Sequence, residues 1–212
     1  YGMGPRGGGE EVTTGLDLLR RDISRLRDRV TDRAAMGPHC SDTQPLRAEL
    51  LSVDQLSLHA REMTGWYGVD MQGGEDRLLP RLAENEAVLV ETFALITSAL
   101  EKNRRIAPAG EWLLDNFYLI EEQIRTARRH LPLGYSRRLP CLVSGPLAGY
   151  PRVYFIAREL IAHNDGRVDL DVLSTFVEAY QSVTPLELGE LWAIPIMLRL
   201  ALIENLRRVS AR

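Results

Sequence analysis

Cysteine is scarce in this sequence, with two in 212 residues, Cys40 and Cys141. They share no CxxC or Cys/His ligand spacing, which excludes a zinc-finger type of site and a disulfide framework and reads as two free thiols in a reducing compartment. A long apolar run is also missing. The most apolar stretch, residues 191–203, contains Pro195 and Arg199 and is shorter than the ~20 residues a membrane helix needs, so no membrane span is expected. Charge of one sign is not in excess either. Lys and Arg total 26 against 29 Asp and Glu, a net charge of -3, so nothing in the balance asks for nucleic acid as a partner. No run alternates with period two for long enough to argue a sheet, no internal repeat occurs, and neither GxGxxG nor a P-loop precedes a helix.

What is present is helical periodicity on a composition of 45% hydrophobic and 26% charged residues, enough to bury a real core. Residues 1–45 read as a Gly-rich linker or truncated end, followed by a charged amphipathic helix over about residues 14–33. Leu16, Leu19, Ile23, Leu26 and Val30 form its apolar seam. Packing against its own domain is favoured over a partner helix, because the seam covers only about two heptads. From residue 46 to 212 a helical domain is expected. Ser52 and Gln55 fit a capping box for a helix to about Met63. Leu78, Leu82, Leu89, Phe93, Ile96 and Leu100 stripe a long helix from about Glu75. Pro108 suits the first turn of the next, whose acids lie early and whose basic residues lie late.

Residues 131–151 then hold Pro132, Gly134, Pro140, Gly145, Pro146 and Gly149, a density of breakers that predicts a long irregular connection. Connections of this length are usually functional or specifically packed. Helices follow from Pro151 to about His163 and from Asp169 to about Gln181. A last one runs to about Val209, with Thr184 as N-cap, Pro185 at its first position and Pro195 inside it. The expected fold class is all-α, an irregular bundle of about six or seven helices with one long Gly/Pro-rich connection.

Several polar groupings invite a chemical reading. Asp169-Leu170-Asp171 is a literal DxD, but it precedes an amphipathic helix instead of ending an apolar strand, so an N-cap role is preferred. Glu159 and His163 are four apart, not the three of a bundle metal site, and no second copy exists, so a surface or C-terminal-turn histidine is the preferred reading. Glu190, Arg199 and Glu204 interrupt an apolar helix and need partners. Arg152 and Arg158 are candidates for the acids, and Asp115 or Glu122 for Arg199, in a structural ion-pair network. Tyr135, Arg137, Arg138, Tyr150, Arg152 and Tyr154 bring rings and guanidinium groups together along the connection. They form a candidate interaction surface that could stack on sugars or hold phosphate, although Tyr rings pinning the loop and Arg capping helix ends is the preferred reading. No catalytic, metal or cofactor-binding residue is assigned.

Three stretches, in order and spacing, resemble the N-terminal region of bacterial cyclic β-1,2-glucan synthases. They are Glu111-Trp112-Leu113-Leu114-Asp115-Asn116-Phe117, Gly145-Pro146-Leu147-Ala148-Gly149-Tyr150-Pro151-Arg152-Val153-Tyr154 and Gly189-Glu190-Leu191-Trp192-Ala193-Ile194-Pro195-Ile196-Met197-Leu198-Arg199. The resemblance extends over about residues 46–208. It implies a large inner-membrane transferase that builds β-1,2-glucan from UDP-glucose and cyclises it, with this region preceding the glycosyltransferase domain. The QxxRW motif, the strand-borne DxD and the membrane helices of such a transferase are missing here, so no catalytic residue is carried over. The expectation is a non-catalytic accessory or scaffold region, free of cofactor, on the cytoplasmic side of the inner membrane. Its expected partner is the remainder of the synthase, with β-1,2-glucan itself as a further candidate. The alternatives are a glucan- or nucleotide-sugar-binding module and a free-standing helical adaptor.

Overall fold

The computed structural model describes residues 45–46 and 48–211. The charged helix expected over residues 14–33, the Gly-rich start and Cys40 lie outside the described residues. Within them the chain folds into six α-helices with two short 3-10 turns and one two-residue strand pair, an all-α architecture as its periodicity implies.

Helix α1 (Val53–Glu62) starts where the capping box places it. The Gln55 amide donates to Ser52 Oγ at 3.3 Å and the Ser52 amide to Gln55 Oε1 at 2.8 Å, which satisfies two of the free amides of the first turn. Helix α2 (Leu78–Glu101) begins later than its apolar stripe suggested. The Asp76 carboxylate accepts from the Leu79 amide at 3.5 Å in the first turn, and from Ser136 Oγ at 2.8 Å and the Gly134 amide at 3.4 Å, tying the start of α2 to the distant connection. Helix α3 (Pro108–His130) has Pro at its start and buries Leu113, Phe117, Ile120, Ile124 and Ala127. That three- and four-residue spacing packs it on α2, where the Phe93 and Phe117 rings lie 4.2 Å apart.

Helix α4 (Arg152–His163) buries every side chain from position 152 to 157, so its first half lies in the core. Helix α5 (Leu170–Gln181) is capped by Asp169, which accepts from the amides of Asp171 at 2.9 Å and Val172 at 3.3 Å; the DxD acids serve the helix start. Helix α6 (Leu188–Ser210) corrects the expected start at Thr184 and Pro185. The Thr184 amide bonds Tyr180 O at 3.0 Å and so completes α5, and Pro185 O accepts from Arg152 at 3.2 Å. Glu187 and Glu190 form the capping box instead.

Helix α6 packs on α2, α3 and, most extensively, α4, while α1 packs mainly on α5. A minimal ladder was not legible as a strand: β1 (Val69–Asp70) pairs antiparallel with β2 (Cys141–Leu142), Val69 opposite Leu142. Two residues are too few for an alternation signal. Among the described residues no helix is long and apolar enough to cross a membrane.

Candidate functional site

The connection after α3 is packed down, and its backbone groups find partners at close range. The Leu142 amide donates to Tyr150 O at 3.0 Å, Gly149 to Leu142 O at 2.7 Å, Val143 to Gly68 O at 2.9 Å and Arg152 to Pro140 O at 2.8 Å. Glycine is required where it meets the segment before α2. Gly73 has φ +81, and a Cβ there would lie 1.9 Å from Arg137 O; Gly145 has φ +83, and a Cβ would meet the Tyr67 ring at 2.4 Å. Neither the backbone conformation nor the space admits a side chain.

The six residues proposed as one surface on this connection separate. Arg137 and Arg138 are exposed, and Tyr135 and Tyr150 are half-buried. Tyr135 Oη donates to Gly189 O at 3.3 Å, pinning the loop to the start of α6. Arg152 and Tyr154 are buried and cannot contribute to an exposed face. Arg152 donates to Glu190 through Nε at 2.8 Å and Nη2 at 2.5 Å, a bidentate pair in the core. Burial opposes the charge on Arg152, and the hydrogen bond and charge of Glu190 outweigh it, so the guanidinium is held above its usual pKa. Tyr154 Oη donates to Glu204 at 3.0 Å, and burial with the neighbouring carboxylate pushes the phenol far above its ordinary value.

Glu204 is the centre of the larger cluster. Arg81 donates to it through Nε at 2.8 Å and Nη2 at 2.6 Å, and Arg208 through Nε at 3.0 Å and Nη2 at 2.5 Å. Asn85 adds a longer contact at 3.5 Å. Burial alone would raise the carboxyl pKa, but the hydrogen bond and charge of Arg81, with Arg158 and Arg208, hold it far below the ordinary carboxylate range. Arg158 acts on it by charge, and its own Nε is buried without a hydrogen-bond partner. The Arg208 partnership, one helical turn away, is legible in the sequence; Arg81, 123 positions distant, is not. Arg199 donates to Gln123 at 3.0 Å and not to Asp115 or Glu122, its expected partners. The acids of these clusters are held by donors from their own chain, which suits them to fixing how α2, α4 and α6 seat together.

The Arg199–Gln123 pair lies in a groove of about 500 Å3 between α3, α5 and α6. Its walls are apolar, including Ile120, Leu173, Pro195, Leu198 and Leu202. At its lip Trp112 is 53% exposed, Leu119 40%, Val168 44% and Leu170 76%. Single exposed apolar side chains are ordinary, but a contiguous apolar groove with such a lip is characteristic of a contact surface.

A second polar grouping was invisible in the spacing. The fold brings His59 of α1 to Glu159 and His163 of α4. His59 Nε2 lies 3.1 Å and His163 Nε2 3.6 Å from Glu159 Oε2, and one ligand atom from each residue falls within 4.8 Å of the others. The Glu159/His163 pair therefore has the third member that its sequence neighbourhood lacks, contributed from 100 positions upstream. These are the residues among those described that could hold a metal ion.

No protein-family model matches the chain. It is 40% identical over 133 residues to the "Cyclic beta-(1,2)-glucan synthase NdvB" of Rhizobium meliloti (strain 1021), a stretch that is 62% of this chain and 5% of that protein. The chain thus spans a small fraction of the length of the curated relative it matches. It is related to a piece of that synthase, in agreement with the resemblance carried by the motifs around Trp112, Tyr150 and Trp192.

Proposed function

We propose that the chain is a non-catalytic helical accessory region of a cyclic β-1,2-glucan synthase, whose work is to dock against the remainder of that polypeptide. The parent protein in this reading transfers glucose from UDP-glucose into β-1,2-glucan and cyclises it, with this region on the cytoplasmic side of the inner membrane beside the glycosyltransferase domain. One observation carries it: the acids Glu190 and Glu204 are turned inward and paired with arginines of their own chain, while an apolar groove between α3, α5 and α6 lies open.

The occupant of that groove is a further segment of the same polypeptide. Supporting this, the related stretch amounts to 5% of the relative's length, so most of such a protein lies outside the matched region. Covering the groove would remove apolar surface from water at about 25 cal/mol per Å2. A covalently tethered segment also binds at a high effective concentration, so a modest groove suffices.

Deleting residues 46–212 from the full synthase and assaying glucan formation from UDP-glucose tests the reading. Loss of assembly or synthesis is the expected result. Unchanged assembly and synthesis would refute a scaffold role.

A further inference from the structure

We propose that His59, Glu159 and His163 form a binding site for a first-row transition-metal ion of the Zn2+ class, which joins α1 to α4. His163 Nδ1 lies 2.7 Å from Glu49 O; a carbonyl oxygen only accepts, so this nitrogen carries the proton. In neutral His163 the lone pair is then on Nε2, which faces Glu159 Oε2 at 3.6 Å. An acceptor opposed to a carboxylate oxygen calls for a cation between them or for an imidazolium. His59 Nε2 approaches the same oxygen at 3.1 Å, so three potential ligand atoms converge on one place.

The dimensions suit a metal. Zn–N and Zn–O bonds of about 2.0–2.2 Å in a tetrahedral site put neighbouring ligand atoms roughly 3.3–3.5 Å apart. The two separations of 3.1 and 3.6 Å bracket that value. Two imidazoles and one carboxylate are a borderline donor set, matched to Zn2+, Co2+ or Ni2+; Mg2+ and Ca2+ prefer all-oxygen shells. The bond from His163 Nδ1–H to a backbone carbonyl is the usual orienting contact of a metal-ligating histidine. Trp66 meets the His59 ring edge-on at 5.2 Å and restricts its rotation.

Side-chain exposures of 13% for His59, 23% for Glu159 and 15% for His163 leave a solvent path to the site. Three protein ligands leave the fourth position to water. Because His59 and Glu159 are 100 positions apart, an ion here closes a long loop and fastens α1, whose main packing is otherwise with α5. The ion in this role is a structural clamp, with its binding energy expressed as stability of the α1–α4 junction.

The test uses the untagged 212-residue chain, stripped with a chelator and titrated with Zn2+ by calorimetry and with Co2+ by visible absorption. One equivalent of Co2+ giving the intense d–d bands of a four-coordinate ion, and one equivalent of Zn2+ raising the melting temperature, are expected. His59→Ala, Glu159→Gln and His163→Ala should each weaken Zn2+ binding at least ~100-fold, beyond the 10–100-fold typical for losing a ligand's orienting partner. His130→Ala, on the exposed end of α3, should leave it unchanged. The unsubstituted chain decides the matter even if a variant misfolds. No binding at millimolar Zn2+ overturns the proposal in favour of a plain imidazolium–carboxylate pair, and equal affinity in the folded ligand variants overturns it as adventitious histidine binding.

Discussion

Glu204 on α6 and Glu159 on α4 are the same residue type on two helices that pack together, yet they face opposite chemistry. Glu204 is wholly buried and meets donors on every side: two guanidinium groups, a phenol and an amide. Glu159 sits near the surface and meets two imidazoles, each with a nitrogen capable of accepting. The difference teaches how to tell a closed polar cluster from one that can take up a ligand. A carboxylate surrounded by fixed cations has its charge and lone pairs satisfied by the fold itself. One that faces a nitrogen presenting a lone pair, as neutral His163 Nε2 does to Glu159, is completed by a proton or a metal ion.

Four measurements test that contrast. The largest effect should come from Glu204→Gln, which removes the buried carboxylate that Arg81 and Arg208 share. Urea unfolding should show a loss of about 3–5 kcal/mol, the usual result of removing one partner from a buried ion pair. Next in size is a gain from metal. At a free Zn2+ concentration one hundred times its dissociation constant, the unsubstituted chain should be more stable by about 2.7 kcal/mol, and the Glu159→Gln chain should show no gain.

Acid should also separate the two carboxylates. Glu204 in the fold titrates far below its ordinary value of 4.5, so the unfolded chain takes up that proton first. Its contribution is full above that ordinary value and is lost as pH falls below it, by about 1.4 kcal/mol for each pH unit. Unfolding followed at a series of pH values should show this slope in the unsubstituted chain and a shallower one in Glu204→Gln. The smallest effect belongs to Glu159→Gln in metal-free buffer. A partly exposed pair contributes roughly 0–1 kcal/mol, so a loss beyond that range in urea unfolding would place Glu159 with the closed clusters instead.

Local signals in the sequence located most of the fold. The Ser52/Gln55 box, Pro108 and the stripe through Phe117 placed helices because each depends on neighbours within a turn or two. The errors arose where a distant group decided. Asp76 is shared between the Leu79 amide and distant Ser136, and α2 starts at Leu78; Pro185 O is taken by buried Arg152, and α6 starts at Leu188.

The polar sites divide in the same way. Glu190 and Glu204 stood out as charges in an apolar helix, and Arg152 was among the partners considered, but Arg81 and His59 reach their acids across 123 and 100 positions. No spacing rule connects residues so far apart. Tyr154 and Arg152 were candidates for a surface because polar residues near glycines and prolines resemble an exposed loop; Arg152–Ala157 enters the core as soon as the connection ends, in line with the preferred packing role.

The docking role is tested most directly by altering the groove without altering the fold. Leu119→Asp with Leu170→Asp places charge on two exposed positions of the lip. In the 212-residue chain the pair should leave the melting temperature unchanged. Introduced into the full synthase, it should lower glucan formation from UDP-glucose at least tenfold. Undiminished synthesis by a normally assembled double variant would contradict the proposal that this face holds the rest of the protein.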